Sequence, residues 1–299
     1  MEEGRKLLLI FAAVFKIWYN KKKEAAIMKI VNLMEDTCGN PACLYEHGFS
    51  LYIETSRHKL LADTGASKKT IENAKRLGID LKEIDIVIIS HGHYDHGGGI
   101  MAFVQENPHA KIYIRENAFG RFYHRKQDGF HDIGLDPAIE QLPQIMKVEG
   151  NLAIDEELSL FTNVAGRRLW PNGNKELYSE EMKHVFPDSF SHEQYLVIEE
   201  GEKRILVSGC AHNGILNILD AYKACYGGVP DIVISGFHMM KKQGYSRKDL
   251  ETIDQIACEL KKLPCHFFTG HCTGENPFER MQAIMGGQIE YVRCGQQII

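Results

Sequence analysis

No Cys-x-x-Cys pair occurs in the chain, and its eight cysteines (Cys38, Cys43, Cys210, Cys225, Cys258, Cys265, Cys272 and Cys294) are scattered. A chain of 299 residues can bury a core without covalent staples. The cysteines therefore read as reduced thiols in a cytoplasmic protein and not as a disulfide framework. A Cys38–Cys43 bridge is allowed by spacing, but no second pair supports it. A large excess of charge of either sign is also lacking, with a net of −5. That weighs against a general nucleic-acid binder and leaves room for a small anionic substrate in a local basic pocket. No apolar run reaches the ~20 residues of a membrane-spanning helix. The candidate at residues 7–19 is interrupted by Lys16 and flanked by Arg5, Lys6, Lys21, Lys22 and Lys23. No small-residue cleavage site follows it before Met28. Repeats and low-complexity segments are absent. What is there, 44% hydrophobic and 25% charged residues, suits one large globular domain or two small ones.

Residues 1–27 admit three readings: a weak anchor, an amphipathic surface helix, or a tail added by an upstream start codon. We take the last, because Met28-Lys-Ile-Val-Asn-Leu reads as a first β-strand. The domain is then 28–299, with 1–27 an extension outside the fold. Strand-like runs recur at 30–34, 50–54, 59–62, 84–89, 111–114, 158–161, 195–198, 204–207, 231–234, 266–269 and 288–292. Helical periodicity appears at 67–77, 213–226, 248–263 and 277–285. The mixture predicts sheets covered by helices in two similar halves. Residues 115–190 are the least regular and are expected to be an insertion, of the kind that forms a lid or binding loop.

The chemistry concentrates in Ser90-His-Gly-His-Tyr-Asp-His-Gly-Gly-Gly99, at the end of an apolar strand. Imidazoles and a carboxylate are ligands for Zn, Mn or Fe. His91 and His93 lie two apart, so in an extended segment both project to one side and can pinch an ion. Asp95 and His96, beyond a turn, can reach a second ion, and the glycines let the backbone turn close by. Three more strands end on the same design: Ser208-Gly-Cys-Ala-His212, Ser235-Gly-Phe-His238 and Thr269-Gly-His271. Open α/β sheets place their chemistry at such carboxyl ends. His212 and His271 are expected ligands. His238 is expected to orient a ligand or touch substrate. Cys210 is either a soft ligand or a buried thiol beneath the site. His192 is the fallback ligand if His212 lies elsewhere. Asp63, in Asp63-Thr-Gly65, is placed to accept hydrogen bonds from the metal loop or a ligand imidazole. His47, His58 and the remaining histidines have no such context.

Asp63-Thr-Gly65, His91-Gly-His93-Tyr-Asp95-His96 and the glycine-flanked His271 resemble the metallo-β-lactamase superfamily across roughly 28–299. The resemblance implies an α/β fold, an αββα sandwich with metals at the sheet edges. It implies His91 and His93 on a first ion, and Asp95, His96 and His271 on a second. Most members have Gly-Asp where this chain has Gly209-Cys210-Ala-His212. That segment, with Phe49-Ser-Leu-Tyr-Ile-Glu, His192-Glu-Gln194 and Gly236-Phe-His238, is similar to the dihydropterin-(ribofuranosyl)aminobenzene phosphate synthase-like branch. The expected function is that of a hydrolase. Two divalent ions about 3.5–4 Å apart would generate a hydroxide that attacks an ester, lactone or phosphodiester, with Asp95 as ligand or proton shuttle. The alternatives are a transferase joining a pterin diphosphate to an aminobenzene riboside phosphate, and a non-catalytic metal-bound sensor. The expected partner is a small molecule, phosphorylated in the transfer reading. A homo-oligomer is compatible with the sequence.

Overall fold

The computed structural model describes residues 28–299. The reading of residues 1–27 lies outside the described residues. The first sheet begins with an antiparallel meander, β1 (Lys29–Met34), β2 (Ser50–Glu54) and β3 (Lys59–Ala62). It continues in parallel through β4 (Ile86–Ile89) and β5 (Lys111–Arg115). Two crossovers carry helices: α1 (Lys69–Arg76) before β4, then α2 (Tyr94–Gly97) and α3 (Ile100–Glu106) after it. Strand β4 reads Ile-Val-Ile-Ile and is buried throughout, as a parallel strand covered on both faces requires.

Residues 115–190 are divided among three sheets and do not form one insertion. Strands β6 (Arg121–Lys126) and β7 (Gly129–Asp132) form a hairpin. Strand β8 (Ile145–Val148) then returns to extend the first sheet beside β5. Strands β9 (Leu152–Ala153) and β10 (Leu158–Thr162) start the second sheet. Strands β11 (Leu177–Glu181) and β12 (His184–Pro187) come back to β6, giving a small cap ordered β12-β11-β6-β7. Arg-Phe-Tyr-His-Arg-Lys and Leu-Tyr-Ser-Glu-Glu have no clean apolar alternation. Cross-strand pairs such as Tyr123 with Tyr178 decide their state.

The second sheet runs antiparallel through β10, β13 (Gln194–Glu200) and β14 (Lys203–Val207), then parallel through β15 (Ile232–Ile234), β16 (His266–Thr269) and β17 (Ile289–Tyr291). Its crossovers are α4 (Ile215–Tyr226), α5 (Arg247–Lys261) and α6 (Glu275–Met285). The Ser246–Asp249 capping box fixes the start of α5. Leu51, Ile53, Leu60 and Ile88 meet Leu160, Leu196, Ile205 and Val207 between the sheets. Ile71, Ala74, Ile100 and Phe103 cover one outer face, and Leu219, Tyr222, Ile256, Leu260 and Met281 the other. The result is an αββα sandwich. Among the described residues no helix is long and apolar enough to cross a membrane.

Candidate metal centre

Strands β3, β4, β14, β15 and β16 all end at one edge of the sandwich, and the cap lies over it. After β4 the chain passes through His91, Gly92 and His93 into α2, which carries Asp95 and His96. Gly92 is required for space, because a Cβ there would sit 2.5 Å from Ala118 O and 2.6 Å from Phe122 Cε2. Gly99 likewise packs on Thr64, with a Cβ position 2.2 Å from its carbonyl oxygen. The glycine run thus gives close approach and not a left-handed turn, since Gly98 and Gly99 have φ of −65° and −79°. The left-handed positions fall on strand ends instead: Asp63 at φ 60°, Ala211 at 52°, His238 at 49° and His271 at 49°. Non-glycine residues held this way cost about 1–3 kcal/mol each and gather at functional sites.

Two buried donor sets converge there: His91, His93 and His212, and beside them Asp95, His96, Cys210 and His271, each within 4.8 Å of its set. Burial holds His91 and His212 well below the ordinary imidazole range and His93 down to about 3, so all three are neutral, as metal ligands must be. Burial also opposes ionisation of Asp95, but the neighbouring His96 and His271 overcome it and hold the carboxyl ionised. In turn, burial disfavours charge on His96, yet Asp63 and Asp95 push it up to about 9, so a cation binding there would displace its proton. The Nε2 atoms of His93, His212 and His271 are buried with no hydrogen-bond partner among the described residues. An orphaned buried polar atom costs about 1–3 kcal/mol, and coordination to a cation removes that cost. The donor sets therefore fit divalent ions.

A second layer of residues aims these donors. Asp63 accepts from Ser90 N (2.7 Å), Ser90 Oγ (2.7 Å) and His96 Nδ1 (2.7 Å), which leaves His96 Nε2 for the site. Asn174, from the cap segment, meets His212 Nδ1 at 3.1 Å and donates to the His212 carbonyl at 2.7 Å. Buried Glu193 accepts from His212 N (2.6 Å) and Asn213 N (2.9 Å). His192 lies close but is engaged at both ring nitrogens. Nδ1 accepts from Gly92 N at 3.0 Å, and Nε2 donates to Asp188 at 3.0 Å. It props the metal loop, while His212 is the imidazole that reaches His91 and His93. Cys210 Sγ lies 3.2 Å from His96 Nε2. The His238 ring lies 4.2 Å from that of His212, and its Nδ1 is buried and unpartnered.

Sequence reasoning missed Asn174, Asp188, Glu193 and the pair Glu35 and Asp36. Glu35 accepts from His271 N at 2.6 Å, and Asp36 faces His271 Nδ1 at 2.6 Å. The pair follows β1 directly, so the strand-end rule that found His212 would have found it. The basic and aromatic residues of the cap are mostly structural. Arg115, at the end of β5 before the cap, is buried on Val148 O and Asn163, and Phe130 packs on Tyr123 and Tyr178. Phe122 is the exception, its ring 5.7 Å from that of His93.

Comparison with known proteins gives the family and the fold. The family model of the metallo-beta-lactamase superfamily matches residues 46–243. The chain is 29% identical over 274 residues to a 7,8-dihydropterin-6-methyl-4-(beta-D-ribofuranosyl)-aminobenzene-5'-phosphate synthase of Methanocaldococcus jannaschii, covering 84% of this chain and 90% of that protein. A crystal structure of a metal-dependent hydrolase of the beta-lactamase superfamily superposes with a TM-score of 0.75 at 28% identity, over 91% of this chain and 99% of the other. Zn(2+)-bound PqqB from Methylobacterium extorquens shares the fold, with a TM-score of 0.54 at 11% identity over 91% of this chain and 99% of its own.

Proposed function

The chain belongs to the metallo-β-lactamase superfamily, and from that premise we propose that it is a metal-dependent hydrolase of a small ester, lactone or phosphodiester. The observation that carries the reading is the set of buried, unpartnered Nε2 atoms on His93, His212 and His271, all turned to one sheet edge. His91, His93 and His212 would hold one divalent ion, and Asp95, His96, His271 and Cys210 a second, as Zn, Mn or Fe. When bound, such ions polarise an ester or phosphoryl oxygen and lower the pKa of water from ~15.7 towards ~7. The protein's part is orientation and exclusion. Asp63, Asp36 and Asn174 fix three imidazoles, and Phe122 closes the cap side of His93. Asp95, held ionised, serves as ligand, and His238 offers a ring beside His212 for substrate. Protein purified without a tag should contain more than one equivalent of metal. His93→Ala should lower that content and abolish hydrolysis of a panel of esters, lactones and phosphodiesters. Full activity in metal-free protein would overturn the reading.

The relationship to the archaeal synthase favours a second reading, transfer. The site would then hold a diphosphate leaving group while an electron-rich ring attacks. Incubation with a pterin diphosphate and an aminobenzene riboside phosphate separates the two. Coupled product supports transfer, and ester hydrolysis alone supports the first reading. Tight metal binding with no turnover on either panel would favour a sensor.

A further inference from the structure

His47 stands in the turn before β2, with its side chain 47% exposed, and sequence context gave it no role. Its Nδ1 lies 2.8 Å from Asp36 Oδ2. The other oxygen of the same carboxylate, Oδ1, lies 2.6 Å from His271 Nδ1. One carboxylate thus orients two imidazoles in the same way, each held through Nδ1 with Nε2 presented on the far side of the ring. Both Nε2 atoms face one oxygen, Asp95 Oδ2, at 3.4 Å from His47 and 3.3 Å from His271. His96 Nε2 lies 3.5 Å from that same oxygen. Ligand atoms about 2.0–2.2 Å from an ion stand about 3.3–3.6 Å from one another at tetrahedral angles. The three spacings from Asp95 Oδ2 to the imidazoles fall in this range, as expected of donors that share one ion. Carboxylate–histidine pairs of this kind set the tautomer of metal-binding imidazoles. His271 Nε2, buried and unpartnered, points to a cation at this place independently of His47.

We propose that His47 is a ligand of the second ion, on its solvent-facing side. This rests on the reading that Asp95, His96 and His271 hold an ion. The backbone supports the assignment. Phe49 N donates to Asp95 O at 3.1 Å, and a Cβ on Gly48 would sit 2.9 Å from that same oxygen. The turn is therefore pinned to the backbone of the ligand it serves, while Asp36 holds the half-exposed ring. His47 and His271 ring centroids lie 4.8 Å apart, so the exposed ring covers the solvent side of the buried one.

The test is zinc binding by the full-length protein in competition with a chromophoric chelator, for wild type, His47→Ala, His47→Gln and Asp36→Asn. The exposed His47 site makes the two His47 variants safe for folding, and metal-free melting checks this. The expected result is two ions on wild type. Both His47 variants should hold the first ion as wild type does but bind the second at least about tenfold more weakly and release it faster. Asp36→Asn, which turns an amide N–H towards one of the two imidazoles, should weaken the second ion by about 10–100-fold. If the His47 variants hold both ions with wild-type affinity and release rates, or lose both ions alike, the assignment of His47 is wrong while the dinuclear site stands. If wild type takes up fewer than two ions, the dinuclear reading fails and His47 as ligand falls with it.

Discussion

Cys210 occupies the strand-end position where a carboxylate is usual in the superfamily, and its burial pushes the thiol well above the ordinary range. Its Sγ touches His96 Nε2 in the second donor set. A cation at that set would compete for the thiol proton, because a coordinating thiolate is deprotonated outright. Cobalt-loaded protein should then show a sulfur-to-metal charge-transfer band that Cys210→Ser lacks. Peroxide should inactivate the wild type with release of metal, and Cys210→Ser should be protected. A cobalt spectrum indifferent to Cys210→Ser would make the thiol a bystander. Asp63 is the clearest positioning residue, since three donors converge on one buried carboxylate. Asp63→Asn turns an amide N–H towards at least one of them. It should lower metal retention on dialysis by about 10–100-fold with the fold intact by circular dichroism.

Strand ends govern the element scale. At one edge of the sandwich they hold the site, and away from that edge a histidine ties the sheets together. His58, in the turn before β3, lies with Nδ1 2.5 Å from Asp85 and Nε2 2.6 Å from Asp155, which precedes β10. Burial alone would lower its pKa, but the two carboxylates outweigh burial and raise it above 6.5. A raised folded-state value means that the charged clamp contributes fully below the unfolded value. That contribution is lost as pH rises through the folded one. Thermal melting across this range should show wild type most favoured over His58→Gln near about pH 6, with the gap closing at higher pH. A gap that is constant with pH would show that His58 acts by packing alone.

At the scale of the whole molecule, the donors belong to both sheets. His91, His93, Asp95 and His96 follow β4, whereas Cys210, His212 and His271 follow β14 and β16. Each proposed ion therefore bridges the two halves of the sandwich. Ligands that bind only the folded state stabilise it by about 4 kcal/mol at a thousandfold excess over Kd. In a domain of this size each kcal/mol moves Tm by about 2–4 °C. Chelation should thus lower Tm by several degrees or more, and zinc should restore it. Identical melting with and without chelator would mean that no ion ties the halves together.

Features built from contiguous residues can be read from the chain alone. The parallel strands are legible because burial on both faces demands unbroken apolar runs such as Ile86-Val-Ile-Ile89. The His91–His96 motif is legible because one strand end presents all its donors within six residues. His212, His238 and His271 follow from the repetition of that design. Tertiary structure alone decided the rest. Asp36 meets His271 across 235 positions of chain, and Gly92 meets His192 across 100. No local pattern records such pairs, because the orientation of an imidazole depends on which distant hydrogen-bonding group packs against it. The cap strands were hidden for the same reason. Their polar residues have no period of their own and become strands only when β6 and β11 find each other over the site. His47 is the sharpest case, since its residue type and neighbours suggest a surface histidine, and only the folding of β1, β2 and β4 to one edge brings its ring nitrogen to Asp95.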